Sequence, residues 1–244
     1  MYNYDLKILD RSQYVLDIEK GKLIAFDLTK EILLYNKEDE STKNKLNEKY
    51  EEIIESINNK IVNNLKNIES FFIALNNYRS QGKIQLTDKF YDIVIYVYNK
   101  AQDLLINTNN KRLEDLMLIL SRTYYKEIKD KKIYIVESIK SHELYKNMNF
   151  WKNIVIKQID DEFKFARNFN QTNNTTNPVS QKKKEEIIFT KLLPFFDLMK
   201  DFDFEKNIII DLIKQILINI NVVKNQENKY FLSLIKFSKN NLKK

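Results

Sequence analysis

The 244-residue sequence contains no cysteine and a single histidine, His142. Without cysteine the chain has no disulfide, no thiolate ligand for zinc or an iron–sulfur cluster, and no cysteine nucleophile. One histidine also excludes the paired Glu-x-x-His motifs of di-iron bundles, and it is too few for the imidazole ligands that hydrolytic zinc sites usually use. We therefore expect no metal, no cofactor and no catalytic residues.

Glycine and proline are almost as scarce, with two of each. Gly21 and Gly82 stand far apart, which excludes a glycine-rich phosphate loop, a dinucleotide fingerprint and a Gly-x-Ser-x-Gly nucleophile elbow. Tight turns depend on these two residue types, and a β-sandwich or barrel needs a turn about every 8–12 residues. An all-α fold is therefore expected.

Long apolar runs are also missing, since none reaches the roughly 18 residues of a membrane-spanning helix. The first residues, MYNYDLKILDRSQY, lack the apolar core of a secretory signal. Together these features predict a soluble, cytoplasmic protein. The net charge is +7, but frequent Lys, Asn and Ile with only four Ala suggest an AT-rich genome. The basic excess then reflects either codon usage or an anionic partner.

The hydrophobic pattern is helical over most of the chain. From Leu46 to Leu75 apolar residues recur every three or four positions, which is the spacing of an amphipathic helix. This predicts a multi-helix bundle with one long helix near 42–79, and further helices over 88–106 and 111–127.

Residues 133–139, IYIVESI, alternate like a strand, but an isolated strand lacks a partner, so this stretch is predicted to be helical. Ser141 is expected to cap the helix that follows.

One polar stretch, residues 168–184, interrupts this pattern. It is rich in Asn, Thr and Lys and has too few apolar residues to dock firmly, so a flexible loop is predicted. Because helical patterns continue on both sides, we expect one helical domain over 1–244. Two subdomains that meet near 170–181 are the alternative.

The stretch SHELYKNMNFWK, residues 141–152, holds both the single histidine and the single tryptophan, Trp151. His142 is either a catalytic or pH-sensing imidazole or a first-turn residue bonded to the backbone. Tyr145, Met148 and Trp151 stand three positions apart, which favours core packing over a base-stacking platform. The acidic residues 160–162 are consecutive, so they fan around a helix and favour a solvated face over a metal site.

Clustered lysines are the best candidates for contact with an anionic partner. A basic amphipathic C-terminus can bind a partner groove or touch an anionic membrane peripherally, or it can dock on its own core. The candidate residues are Lys182, Lys183, Lys184, Lys236, Lys239, Lys243 and Lys244.

Residues 113–162 contain motifs that resemble those of a known domain family. LEDLMLILSRTYYKE is an apolar helical pattern that ends in an aromatic pair, and KKIYIVESIKSHELYKNMNFWKNIVIKQIDDE adds a His-x-Leu-Tyr element and a Phe-Trp pair that opens an acidic-ended helix. This order resembles the all-helical domain attached to DENN-type Rab exchange factors and myotubularin-related pseudophosphatases. The resemblance implies a eukaryotic, cytosolic scaffold without catalytic residues of its own. Its structural signature would be Tyr124, Tyr125, His142, Leu144, Tyr145, Phe150 and Trp151.

The expected function is therefore non-catalytic protein–protein interaction, with a small GTPase or a trafficking complex as the partner. The contact surface would include the 42–79 helix or the basic C-terminus. One alternative is a basic helical protein associated with nucleic acid, although only five of the basic residues are Arg, the residue preferred for phosphate and base contacts. The other is an enzyme that uses carboxylates, tyrosine or lysine.

Overall fold

The computed structural model describes residues 27–30, 43–79, 82–108, 110–172 and 180–220. Most of this part of the chain is helical, so the fold class is as expected in its main feature. The chain divides into two compact units, residues 1–135 and 136–244. This division lies upstream of the boundary near 170–181 that was considered from the sequence. The single domain over 1–244 and the bundle arrangement stay predictions.

The first unit begins, where it is described, with a helical stretch at 27–30. The elements that follow are α1 (Lys43–Lys60), α2 (Leu65–Tyr78), β1 (Ile84–Gln85), α3 (Asp88–Leu105), α4 (Lys111–Ser121), β2 (Tyr124–Ile128) and β3 (Lys131–Tyr134). Helix α2 packs against α3 and α4, and α3 also packs on β2. Fully buried aromatic and aliphatic side chains from α1, α2 and α3 contribute to the core: Ile57, Ile68, Phe71, Phe72, Val97 and Tyr98.

The long helix predicted near 42–79 is wrong, because α1 and α2 are separated at residues 61–64. Asparagine side chains satisfy the backbone groups that the break exposes. The Asn64 carboxamide accepts a hydrogen bond from the Lys66 N–H at 2.9 Å, and Asn67 Nδ2 donates to the Lys60 carbonyl at 2.7 Å. Ile61 and Val62 remain buried in the break, so the apolar spacing continues across it. This continuity is why the pattern predicted one helix.

A small three-stranded sheet was not predicted from the sequence. Its strand order is β1-β2-β3, with β1 parallel and β3 antiparallel to β2. The helix predicted over 111–127 therefore ends at Ser121, and Tyr124–Ile128 is a strand. This strand pairs with the first part of IYIVESI, so residues 133–134 belong to β3 and the predicted helix begins only at Ile135.

The second unit contains α5 (Ile135–Ile139), whose first residue closes the first unit, then α6 (Glu143–Lys146), α7 (Met148–Thr172), α8 (Gln181–Asp201) and α9 (Lys206–Asn219). Helix α7 packs against α6, α8 and α9. The loop predicted over 168–184 is too wide, because α7 continues to Thr172 and α8 begins at Gln181. The Ser180 hydroxyl caps α8 by accepting from the Lys183 N–H at 3.3 Å. Residues 173–179 lie outside the described residues.

Candidate functional site

His142 is the N-cap residue of α6. Its Nδ1 accepts a hydrogen bond from the Leu144 N–H at 3.2 Å, and its ring is half-buried. The cap was expected at Ser141, one residue earlier. The imidazole therefore satisfies one of the first N–H groups of a short helix, which is the structural role weighed for it from the sequence.

Trp151 is fully buried in the second unit, as the packing interpretation requires. The indole Nε1–H donates to the Tyr145 carbonyl at 2.7 Å, so its polar atom is satisfied. Five aromatic rings surround it with centroids 5.0–6.0 Å away: Tyr145, Phe150, Phe195, Phe202 and Phe204. Three of the five belong to α8 or the turn after it, so Trp151 joins α6, α7 and α8 into one core.

Tyr124 and Tyr125 belong to the first unit, whereas the other signature residues belong to the second. Tyr124 is fully buried, and its hydroxyl donates to the Leu75 carbonyl at the end of α2, at 2.8 Å. Burial raises the pKa of the Tyr124 hydroxyl far above its usual range, and Tyr78 adds to this. The signature positions thus belong to two different units of the chain. Their role as a family signature stays a prediction.

The other charged candidates are solvent-facing where the structure describes them. Asp160 and Asp161 are exposed, and Glu162 pairs with Lys191 of α8 at 3.1 Å. Lys182 and Lys183 are exposed in the first turn of α8, and Lys184 is half-buried beside them. Lys236, Lys239, Lys243 and Lys244 lie outside the described residues.

The sheet of the first unit carries a group of lysines and tyrosines that sequence reasoning missed. The rings of Tyr125 and Tyr134 are in contact across the two strands, with centroids 5.4 Å apart and planes inclined at 49°. Lys83 Nζ lies 4.7 Å from the Tyr134 ring centroid and donates to its hydroxyl at 2.9 Å. Lys132 Nζ lies 4.8 Å from the Tyr125 ring centroid. We call these four residues the Lys–Tyr face.

Both lysines of the Lys–Tyr face are exposed, while Tyr134 is half-buried and Tyr125 buried. An ammonium over a tyrosine ring is held by the ring quadrupole, which orders a side chain that would otherwise be mobile. Each charge is therefore presented at a defined position beside the paired strands. The signal in the sequence was two short runs that contain aromatic or β-branched residues, YYKEI and KKIY, on either side of the two-residue loop Lys129–Asp130.

Lys126, also on β2, faces the opposite way. Its Nζ lies 3.5 Å from an Asp92 oxygen and 3.7 Å from an Asp88 oxygen, and 4.7 Å from the Tyr91 ring centroid. These partners belong to α3, so Lys126 joins the sheet to the helix beneath it. The lysines on the two faces of the sheet thus have different surroundings.

Within the part of the chain that the structure describes, no three His, Cys, Asp or Glu side chains gather as metal ligands would, and no helix is long and apolar enough to cross a bilayer. Comparisons of the sequence and structure with protein-family models, curated proteins and solved structures find no match.

Proposed function

We propose that this protein is a non-catalytic protein-interaction module that binds its partner through the sheet of the first unit. The Lys–Tyr face is the observation that carries the proposal. Tyrosine is enriched in protein interfaces, and the half-buried Tyr134 ring is partly accessible while the buried Tyr125 ring packs against it. A surface that presents one tyrosine ring and two ammonium groups in fixed positions fits this use.

The charge of the sheet supports an acidic partner. Residues 83–85 and 124–134 contain five lysines and two carboxylates, a net charge of +3. Lys129, Lys131 and Lys132 are all exposed at the hairpin end of the sheet. Complementary charge steers partners toward such a surface and suppresses binding of basic ones.

The finer part of the proposal is that the partner acts in small-GTPase or vesicle-traffic regulation. The sequence resemblance over residues 113–162 supports it, and β2 and β3 lie within that stretch. The proposal predicts that a panel of purified small GTPases, each loaded with GDP or a GTP analogue, contains a binder. A panel without a binder would remove the small-GTPase assignment and leave the interaction module.

The test of the module compares capture by matched variants. The 244-residue chain is immobilised and incubated with nuclease-treated eukaryotic cell extract, and bound proteins are quantified by mass spectrometry. We expect Lys83→Glu/Lys132→Glu to lose the proteins that wild type enriches. Lys66→Glu, an exposed lysine at the start of α2, should keep them. Equal capture by wild type and the double variant would contradict the proposal.

Nucleic-acid binding is the second candidate, favoured by the net charge of +7 and the exposed lysines at the start of α8. Phosphate contacts release counterions, so binding to a labelled single-stranded oligonucleotide should weaken steeply as salt rises from about 50 to 200 mM. In this case Lys182→Glu/Lys183→Glu should weaken binding more than Lys83→Glu/Lys132→Glu. If the protein is instead an interaction module, Lys83→Glu/Lys132→Glu should reduce the capture of proteins more than Lys182→Glu/Lys183→Glu.

A further inference from the structure

We propose that β3 accepts an acidic, extended segment of the partner as an added strand. This inference rests on the proposed interaction function and names the chemistry of the partner. Three observations carry it: the pairing register of β3, the alternation of its side chains, and the charge of the Lys–Tyr face.

The register leaves backbone groups of β3 directed away from β2. Ile128 pairs with Lys131 around the two-residue loop, and Lys126 pairs with Ile133. A two-residue hairpin closes on a hydrogen-bonded pair, and such pairs alternate along an antiparallel ladder. Lys131 and Ile133 therefore bond β2, and the N–H and carbonyl groups of Lys132 and Tyr134 point to the other edge. β3 is the last strand of the described sheet at that edge.

One of these outward groups is already used. The Tyr134 carbonyl accepts a hydrogen bond from the Tyr91 hydroxyl at 3.0 Å. The Lys132 N–H, the Lys132 carbonyl and the Tyr134 N–H remain directed to the edge. They offer two donors and one acceptor, enough for a short added strand, since the four residues of β3 span about 13 Å.

Side-chain alternation defines the residues that an added strand would need. Successive side chains of a strand point to opposite faces, so Lys132 and Tyr134 lie on the Lys–Tyr face and Lys131 and Ile133 on the other. An incoming segment would place every second side chain on the face of the sheet that carries the ammonium groups of Lys83 and Lys132. Acidic residues fit these positions, and β-branched residues fit the positions between them, beside Ile133.

Backbone pairing distinguishes this partner from other polyanions. A nucleic acid or an anionic lipid surface offers charge but no row of amide donors and acceptors with strand spacing. Strand addition takes affinity from main-chain hydrogen bonds and specificity from alternate side chains. The sheet supplies both, which is why we assign a protein segment to β3.

The experiment uses the 244-residue chain and a fluorescein-labelled ten-residue peptide of alternating Glu and Val, with binding measured by fluorescence anisotropy. An alternating Lys–Val peptide is the charge-reversed control. We expect Lys83→Glu/Lys132→Glu to weaken binding of the Glu–Val peptide at least tenfold. Lys66→Glu should change it by less than twofold. Circular dichroism checks that each variant keeps its helical content.

N-methylated peptides test the backbone pairing at constant charge. One peptide carries N-methyl groups on every Glu and the other on every Val. In an added strand only one of these sets faces β3: the Glu amides for antiparallel addition, the Val amides for parallel addition. We expect one methylated peptide to lose binding at least tenfold and the other to bind within threefold of the unmodified peptide.

The outcomes separate the two proposals. Equal binding of both methylated peptides would overturn strand addition, while capture that depends on Lys83 and Lys132 would still support the interaction module. Equal binding of the Glu–Val and Lys–Val peptides would overturn the acidic segment as the partner. If capture from extract is also unchanged in Lys83→Glu/Lys132→Glu, the module itself is contradicted.

Discussion

At the scale of single residues, the rarest side chains of this protein serve packing and capping. The imidazole of His142 caps a four-residue helix, and the indole of Trp151 lies among five rings. The three-residue spacing of Tyr145, Met148 and Trp151 was enough to predict the burial of Trp151. It was not enough to predict its neighbours on α8 and in the turn after α8, because Phe195 and Phe202 reach the indole only through tertiary packing.

Tyr124→Phe removes the hydrogen bond to the Leu75 carbonyl, and we expect a loss of about 1 kcal/mol of unfolding free energy at pH 7. Burial raises the pKa of the Tyr124 hydroxyl above that of tyrosine in the unfolded chain. The hydroxyl therefore contributes to the unfolding free energy below about pH 10, where unfolded tyrosine starts to ionise, and this contribution is lost as the pH rises further. The difference between wild type and Tyr124→Phe should therefore shrink at pH 11. Urea unfolding of both proteins at pH 7 and pH 11 measures this difference in unfolding free energy.

Ile57→Val is the matched control for Tyr124→Phe. Ile57 is fully buried in α1 and does not titrate, so its loss of about 1 kcal/mol should be the same at both pH values. A difference for Tyr124→Phe that stays constant or grows at pH 11 would contradict the role of burial.

Gln102 carries a testable cost of burial. Its side chain in α3 is fully buried, and neither carboxamide atom has a hydrogen-bond partner among the described residues. A buried polar atom without a hydrogen bond lowers the unfolding free energy by about 1–3 kcal/mol. Gln102→Met should therefore raise the unfolding free energy by about 1–2 kcal/mol in urea denaturation. Gln215→Met, at an exposed position of α9, should stay within about 0.5 kcal/mol of wild type. Destabilisation by Gln102→Met would show that the carboxamide is bonded.

At the scale of elements, hydrophobic spacing predicted most helices but misplaced their ends. The 3.6-residue pattern is local, and it continued across the break at 61–64 and past the true end of α4. The break depends on which asparagine side chains reach free backbone groups. The strands depend on a partner, since Tyr124–Ile128 is extended only because β1 and β3 pair with it. Neither condition is visible in the spacing of apolar residues.

The hairpin loop contains a conformation that its residues disfavour. Lys129 and Asp130 have φ angles of 50° and 63°, the left-handed pair of a two-residue turn that glycine and asparagine prefer. Asp130→Gly should raise the unfolding free energy by about 0.5–1 kcal/mol.

Gly82→Ala is the opposite control for Asp130→Gly, because Gly82 has φ +97° and an added Cβ would meet no atom within 4 Å. We expect it to cost about 1 kcal/mol through backbone strain alone. Thermal unfolding of both variants tests the pair, and destabilisation by Asp130→Gly would contradict it.

Asp203, just after the end of α8, also has a left-handed backbone conformation. Its φ is 59°, its N–H donates to the Lys200 carbonyl at 2.9 Å, and the Phe204 N–H donates to the Met199 carbonyl at 3.1 Å. This is a Schellman motif with aspartate where glycine is usual. The Asp203 carboxylate also lies 2.8 Å from Lys140 Nζ, and the hydrogen bonds that the Lys140 ammonium donates to the Asp203 and Glu137 carboxylates raise the pKa of Lys140.

We expect Asp203→Gly to lie within about 0.5 kcal/mol of wild type, because relief of backbone strain offsets an exposed ion pair worth less than about 1 kcal/mol. Asp203→Ala should lose about 1–2 kcal/mol, since it gives up the ion pair and keeps the strain. Chemical denaturation distinguishes the two variants. If Asp203→Gly is as destabilised as Asp203→Ala, the ion pair contributes more to the unfolding free energy than relief of backbone strain does.

At the scale of the whole molecule, the chain consists of two compact units, each with aromatic side chains in its core. The single tryptophan belongs to the second unit, so its fluorescence reports that unit selectively.

We expect native emission typical of a buried indole and a red shift on urea unfolding. Phe195→Ala should lower the free energy from the tryptophan-detected transition by about 3–5 kcal/mol. Ile218→Ala, at a side chain 50% exposed in α9, should cost less than about 1 kcal/mol. Native emission already typical of exposed indole would contradict the core.

The sequence by itself determined that the protein is mainly helical and lacks glycine-rich and cysteine-dependent sites, because both follow from residue types and local spacing. Only the tertiary structure decided the break between α1 and α2, the three-stranded sheet and the Lys–Tyr face. Lys83 and Tyr134 meet although they stand 51 positions apart. Such encounters depend on how distant segments pair and pack, and no local pattern encodes them.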